Sequence, residues 1–539
     1  MQAFDLYVVT VYLALLVTLS PLLGSYLHLV FNQPVGRIER TFYFLTRTRQ
    51  NAMNWKQYAT AVLIFQGIGF VALMLLFKLN HRTPISLDLA LNTAVSFLTN
   101  TNWQAYAGEN TLDYWVQMLA LTVQNFLSAA TSLAVMLALI RGITSKETQD
   151  LGNFWVDITR ATFFVLIPFS VLMAIFLVSQ GAIQNFSAYV HAVGLEGQPQ
   201  LLPMGPAASQ TAIAVFGSNG GGFFGQNAAH PFVNPNEFTN FILMFAILLL
   251  PAGLVHFYGL QIGSKKQAWA IFSVMLCLFV LFLAGTMASE ISFGSLEGQE
   301  VRFGRVGSIL FGTAATASSN GSVNAMMDSL SPLAGGLMML QIMLGEIIFG
   351  GVGCGLYGML LFVMLTVFLA GLMVGRTPEY LGKKIETAEI NWILMGILAP
   401  SIVTLIGAGL SCLNAQALTG LGNLGPHGLS EILYAFTSSA NNNGSAFGGL
   451  SANTPYWNLA LGTTMVLGRF GLMIPVLAIA GSLARKKQTP PSVGTFQTDT
   501  PIFAVLLGAS ILLVGALTFM PGWFLGPLLE HVTLAGGAS

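Results

Sequence analysis

Four short polar stretches interrupt an otherwise apolar chain, and their residue types suit the handling of an ion. They run Thr99, Asn100, Thr101, Asn102, Trp103, Gln104; then Gly217, Ser218, Asn219, Gly220, Gly221, Gly222; then Ser318, Ser319, Asn320, Gly321, Ser322; and last Ser438, Ser439, Ala440, Asn441, Asn442, Asn443, Gly444, Ser445. None carries a carboxylate. Glycine lets a backbone aim its carbonyl oxygens at one axis, including through φ > 0. Uncharged carbonyls suit a large, weakly hydrated monovalent cation, because they replace its hydration shell without trapping it. A divalent site more often gathers several carboxylates. Thr101, Asn102, Asn219, Gly221, Ser319, Asn320, Asn442 and Asn443 are the candidate ion-site residues on this argument. Asn/Ser/Gly runs are also ordinary exterior turns, but four recurrences weigh against that reading.

With Asn102, Asn219, Asn320 and Asn442 as markers, the loops recur in steps of 117, 101 and 122 residues. Such a period is too long for a solenoid and suits a repeated unit of two long helices plus a re-entrant segment.

The elements that must position these loops are membrane helices. The chain has 539 residues, 54% hydrophobic and 8% charged, with a mean hydropathy of +0.71, as expected of a polytopic membrane protein. The zero net charge gives no support for nucleic-acid binding. Cys277, Cys354 and Cys412 lie in apolar segments without metal-ligand spacing, and the seven histidines form no H-x-x-x-H pair. Ten runs long enough to span fall at about 7–30, 59–78, 115–140, 160–180, 238–260, 268–289, 335–374, 390–412, 456–484 and 501–520. The first lacks a basic leader and a small-residue cleavage site, so it reads as a retained helix.

Basic residues orient the bundle. Arg37, Arg40, Arg47, Arg49 and Lys56; Arg141, Lys146 and Arg160; Lys265 and Lys266; Arg376, Lys383 and Lys384; and Arg485, Lys486 and Lys487 fall on one side, 16 of the 21 Lys and Arg. The positive-inside rule makes that side cytoplasmic and puts both termini outside. Short segments at 87–99, 207–216, 306–317 and 428–437 each lead into a polar loop, and thirteen residues of helix cover only about 20 Å. Each therefore enters from outside and returns partway, pointing its partially negative C-terminal end at the centre. The expected fold class is an all-α polytopic membrane protein, with four parallel helix–loop–helix repeats in pseudo-fourfold array. The units are a leading helix and loop (1–58), repeats at 59–141, 160–260, 268–374 and 390–484, and a trailing helix (501–539).

Three features depart from a plain pore. The seventh run is about forty residues, and its middle reads Gly345, Glu346, Ile347, Ile348, Phe349, Gly350, Gly351, Val352, Gly353, Cys354, Gly355. Each glycine weakens a helix by about 1 kcal/mol relative to alanine, so a break is expected there, with Gly350, Gly351 and Gly353 able to gate the inward path. Glu346 at the break either coordinates the ion or bonds the freed backbone. Arg469, inside a span, either opposes downhill passage of a cation or pairs with a carboxylate such as Glu346.

The stretches Thr99 to Gly108, Ser218 to Phe224 and Ser438 to Phe447 resemble the filter motifs of the KdpA family, the potassium-binding subunits of bacterial Kdp potassium-transporting ATPases. The resemblance covers the whole chain. It implies a place in the superfamily of potassium transporters, with K+ as the transported ion and Gln104, Gly220, Gly321 and Gly444 shaping affinity and selectivity. It further implies that Arg469 and the 350–355 loop close the direct route. K+ would leave sideways, through an intramembrane tunnel to the P-type ATPase subunit KdpB. KdpC and KdpF would complete a complex in the bacterial plasma (inner) membrane. The loops depart from the Thr-Val-Gly-Tyr-Gly filter of true channels.

The chain carries no Asp-Lys-Thr-Gly phosphorylation motif and no G-x-x-x-x-G-K-[ST] loop, and its longest basic-side loop, 31–58, is under thirty residues. ATP would thus be used by a partner, and the chain on its own is not expected to be an enzyme. A passive Trk/Ktr-like channel or symporter is the alternative. A carrier for an organic solute would predict inverted repeats, and no nucleophile–base constellation suggests a membrane enzyme.

Overall fold

The computed structural model describes residues 3–48, 50–375, 377–490 and 496–537. Arg49 and Arg376, two of the basic residues used for orientation, lie outside the described residues.

Ten helices among the described residues are long and apolar enough to cross a membrane: Asp5–Asn32, Trp55–Lys78, Tyr114–Thr144, Phe154–Ser179, Glu237–Gln261, Lys265–Phe293, Cys354–Val374, Thr387–Cys412, Pro455–Arg485 and Pro501–Gly536. They match the ten apolar runs, because helices apolar on all sides are stable only where lipid or protein surrounds them. Among the described residues, strands form two short antiparallel pairs, Val190–Val193 with Pro199–Leu202 and Glu379–Tyr380 with Lys383–Lys384.

Burial sorts the central eight spans into outer and inner members. Trp55–Lys78 is 28% buried and its successor Tyr114–Thr144 83%; Phe154–Ser179 is 33% and Glu237–Gln261 78%. The same order holds for Lys265–Phe293 and Cys354–Val374, and for Thr387–Cys412 and Pro455–Arg485. In every pair the second helix is the more buried of the two.

Between the two members of each pair lies a short helix: Leu87–Leu98, Ala207–Phe216, Gly304–Ala317 and Gly425–Ala440. The last two start earlier than their sequence signal, since Gly304 and Gly425 begin them with left-handed backbone that only a missing Cβ makes easy. The seventh run is broken as its glycines require. Pro332–Met343 is one helix and Cys354–Val374 another, and Gly345, Glu346, Phe349 and Gly353 between them have φ from 49° to 89°.

At the end away from the polar loops, buried ion pairs tie neighbouring helices. Arg141 holds Asp157 at 2.5 Å, and Tyr58 donates to the same carboxylate at 2.9 Å. Arg160 reaches Glu39 at 2.7 Å, and Lys486 reaches Glu389 at 2.6 Å.

Candidate functional site

The four short helices end alike. Their C-caps are Thr99, Gly217, Ser318 and Asn441, and the residues that follow, Asn100, Ser218, Ser319 and Asn442, all have φ between 48° and 67°. One residue further on, the backbone N–H groups of Thr101, Asn219, Asn320 and Asn443 return to the carbonyls of Ser96, Ala214, Ala315 and Ser438, at 2.8–3.1 Å. This is the Schellman turn, which satisfies the last carbonyls of a helix. Four copies of it make the loops equivalent residue by residue.

The equivalence corrects the asparagine markers. Asn219 and Asn320 match Thr101 and Asn443, whereas Asn442 matches Asn100, Ser218 and Ser319. The position after the turn holds Asn102, Gly220, Gly321 and Gly444. Side-chain identity misled the spacing, because what repeats is the backbone turn.

The asparagine side chains point along the ring of loops and join it. Asn219 donates to Asn100 Oδ1 at 2.5 Å, and Asn100 donates to the Ser218 carbonyl at 3.0 Å. Asn320 donates to Ala214 O at 3.1 Å, and Asn443 to Ala315 O at 3.2 Å, each reaching the capped carbonyl of the preceding short helix. Asn442 closes the circuit onto Thr101 Oγ1 at 2.9 Å. Loop one thus contacts loop two, two contacts three, three contacts four and four contacts one. Asn102 instead donates outward to Asn125 Oδ1 at 2.6 Å, and Gln104 accepts the Gly222 N–H at 2.8 Å.

Glycine is required where the four backbones meet. A Cβ on Gly220 would lie 2.6 Å from the Thr101 carbonyl oxygen and 3.0 Å from that of Asn443. One on Gly321 would lie 2.8 Å from Gly220 Cα, and one on Gly444 would collide with the Thr101 carbonyl oxygen. Gly221 has φ +68° and lies against the Gln104 side chain. Gln104, Gly220, Gly221, Gly321 and Gly444 therefore gather with Thr101 and Asn102 at the ring, while Ser319 faces the broken helix below. The ring is narrow, made of backbone, and free of carboxylates, with four helix C-termini aimed at it. Such a site offers neutral oxygens and partial negative charge to a cation.

The 344–353 break packs against the third loop and the Tyr114–Thr144 span. Gly351 donates its N–H to Ser319 Oγ at 3.3 Å, Gly353 lies against the backbone of Ser132, and Gly350 abuts Gly355. Arg469, 3% exposed, donates to Ser132 Oγ. Glu346, 4% exposed, has Asn443 and Arg469 as its polar surroundings, and its Oε1 has no hydrogen-bond partner among the described residues. No Glu346–Arg469 ion pair forms among the described residues. The pairing offered for Arg469 is replaced by a hydroxyl partner. Both side chains line a cavity of about 50 Å³, whose wall also includes Asn441, Asn442, Ser401 and Thr518.

Sequence reasoning missed the supports. Asn125, Ser128 and Ser132, on one face of Tyr114–Thr144, hold Asn102, Asn100 and Arg469 respectively. Their i, i+3, i+7 spacing in an apolar span was the available signal.

The fold and the ring define a polytopic helical membrane protein organised around one backbone-lined candidate ion site. The family model for KdpA, the potassium-transporting ATPase A subunit, matches residues 10–532, and the chain belongs to that family. A potassium-transporting ATPase potassium-binding subunit from Leptospira interrogans is 50% identical, covering 97% of each chain. Subunits of the same name from Sorangium cellulosum and Ralstonia pickettii are 49% and 46% identical, covering 97% and 99% of this chain and 98% and 100% of theirs.

Proposed function

We propose that this chain binds extracellular K+ at the ring of four loops and serves as the potassium-binding and translocating subunit of an ATP-driven uptake complex. The observation that carries this reading is the fourfold Schellman turn followed by Asn102, Gly220, Gly321 and Gly444, which brings four backbones together without a carboxylate. The relatives' name, potassium-binding subunit of a potassium-transporting ATPase, supports the ion and the complex. ATP is hydrolysed by a partner of the P-type class, KdpB, and KdpC and KdpF complete the assembly. The repeats run parallel over 59–141, 160–260, 268–374 and 390–484. The loops face outward, the basic end faces the cytoplasm of a bacterial plasma membrane, and both termini are outside.

K+ leaves the ring sideways. Straight descent meets the 344–353 segment and the Arg469 guanidinium, whereas the cavity past Glu346 opens between Thr387–Cys412 and Pro501–Gly536. Glu346 supplies a carboxyl at the start of that path, and Arg469 repels a cation from the axis.

The test is to purify the tagged chain from native membranes in mild detergent and assay ATP hydrolysis with and without micromolar K+. K+-stimulated, vanadate-sensitive hydrolysis by a co-purifying subunit supports the reading. A chain that purifies alone and passes K+ in liposomes without ATP overturns it.

A further inference from the structure

At the end of the bundle away from the four loops, the helix Arg37–Leu45 lies beside a groove of about 890 Å³ between Trp55–Lys78, Tyr114–Thr144 and Phe154–Ser179. The helix is amphipathic in composition: Arg37 and Arg40 are exposed, and so are Phe44 (82%) and Leu45 (72%). Such a helix rests in the boundary between headgroups and acyl chains. Its one carboxylate, Glu39, is spent on buried Arg160 at 2.7 Å and on Tyr43. Arg37, Arg40 and Arg47 form no ion pair among the described residues. The local charge is therefore positive and uncompensated.

The helix ends in a turn that places a cation at the groove mouth. Thr48 N–H returns to the Tyr43 carbonyl at 2.9 Å, and Arg47 takes φ 53°, a conformation that favours glycine. Thr46 and Thr48 bring their hydroxyls to 2.7 Å of each other beside it. The lining combines apolar Phe65, Leu127, Ile158 and Phe163 with polar Gln57 and Asn153. Phe163, 44% exposed, stacks edge-on with Phe42 of the helix at 5.3 Å. A free cation, paired hydroxyls and aromatic and aliphatic wall residues around one groove match an anionic phospholipid in charge and composition.

We propose that this groove binds one anionic phospholipid, its phosphate at Arg47 and Thr48 and an acyl chain along Phe65, Leu127, Ile158 and Phe163. The lipid fixes Arg37–Leu45 against the second, third and fourth spans. This inference is independent of the ion site.

Trp155 lines the groove and reports its occupant. The full chain, purified with its accompanying subunits, is placed in bilayers containing dibrominated phosphatidylglycerol or dibrominated phosphatidylcholine. The fluorescence component lost in Trp155→Phe is then measured. One basic contact favours anionic lipid about fivefold, so phosphatidylglycerol should quench that component at about one-fifth the mole fraction, and Arg47→Gln should bring the two lipids level. Equal quenching by both lipids in the native chain overturns the proposal, as does an unchanged preference in Arg47→Gln. So does a Trp155 shielded from both lipids by a co-purifying helix. If Trp155→Phe does not assemble, native mass spectrometry replaces it. One retained phosphatidylglycerol in the native chain and none in Arg47→Gln supports the site, and equal retention overturns it.

Discussion

Asn442 in the fourth loop donates its amide to the Thr101 hydroxyl of the first at 2.9 Å, joining residues 341 positions apart in sequence. The same amide nitrogen lies 3.1 Å from the Met465 carbonyl of the adjoining span. One side chain thereby closes the ring and fastens it to its scaffold. Removing one partner of a buried hydrogen bond costs about 1–3 kcal/mol through the group left unpaired. Asn442→Ala should therefore raise the K+ concentration needed for half-maximal ATPase stimulation by about tenfold. Rubidium and sodium should also be discriminated less well. Unchanged half-maximal K+ would show that the closure does not shape the site.

The glycines differ in what a methyl would strike. At Gly444 it meets the Thr101 carbonyl oxygen head-on and φ is +94°, whereas at Gly67 nothing lies within 4 Å. Gly444→Ala and Gly220→Asp should each weaken K+ stimulation by at least tenfold. Gly67→Ala should leave it unchanged, since helix propensity there favours alanine. Titrations of K+-stimulated hydrolysis on matched preparations check the contrast.

Arg469 is held by Ser132 and forms no ion pair among the described residues, although Glu346 lines the same cavity. Arg469→Gln keeps hydrogen-bonding capacity but removes the charge. Proteoliposomes loaded with K+ and lacking ATP should then leak severalfold faster than the parent, and Arg469→Lys should restore tightness. Equal leak in all three would assign the barrier to the 344–353 segment alone.

Near the N-terminal end of Gly425–Ala440, His427 bridges Asp328 at 2.9 Å and Glu530 at 2.8 Å, using both ring nitrogens. Its hydrogen bonds to Asp328 and then to Glu530 raise its pKa to about 10, against the opposing effect of burial. The folded pKa exceeds the unfolded one, so the stabilisation is complete below about pH 6.5 and disappears as pH rises through about 10. Thermal unfolding should show parent and His427→Gln far apart at pH 7 and converging above pH 10. A gap that persists at pH 10.5 would mean that the link is not ionic.

The ten spans, the four polar loops and the break at 344–353 were all legible in sequence. Twenty apolar residues have one stable arrangement in lipid, and glycines at φ > 0 cannot continue a helix. Gln104, Gly220, Gly321 and Gly444 were named by resemblance, and the structure places them where the four loops meet. What only the tertiary structure decided is which oxygens and amides face which neighbour. Asn219, Asn320 and Asn443 were named from residue type alone, and only the structure shows their amides binding Asn100, Ala214 and Ala315. For Arg469 the sequence left open a barrier to cations or a pairing with a carboxylate such as Glu346, and the structure gives it Ser132 as its hydrogen-bond partner. Local sequence sets backbone conformation through sterics that act within a few residues. A hydrogen bond spanning hundreds of positions depends on where packing brings two distant segments, and no periodicity records that.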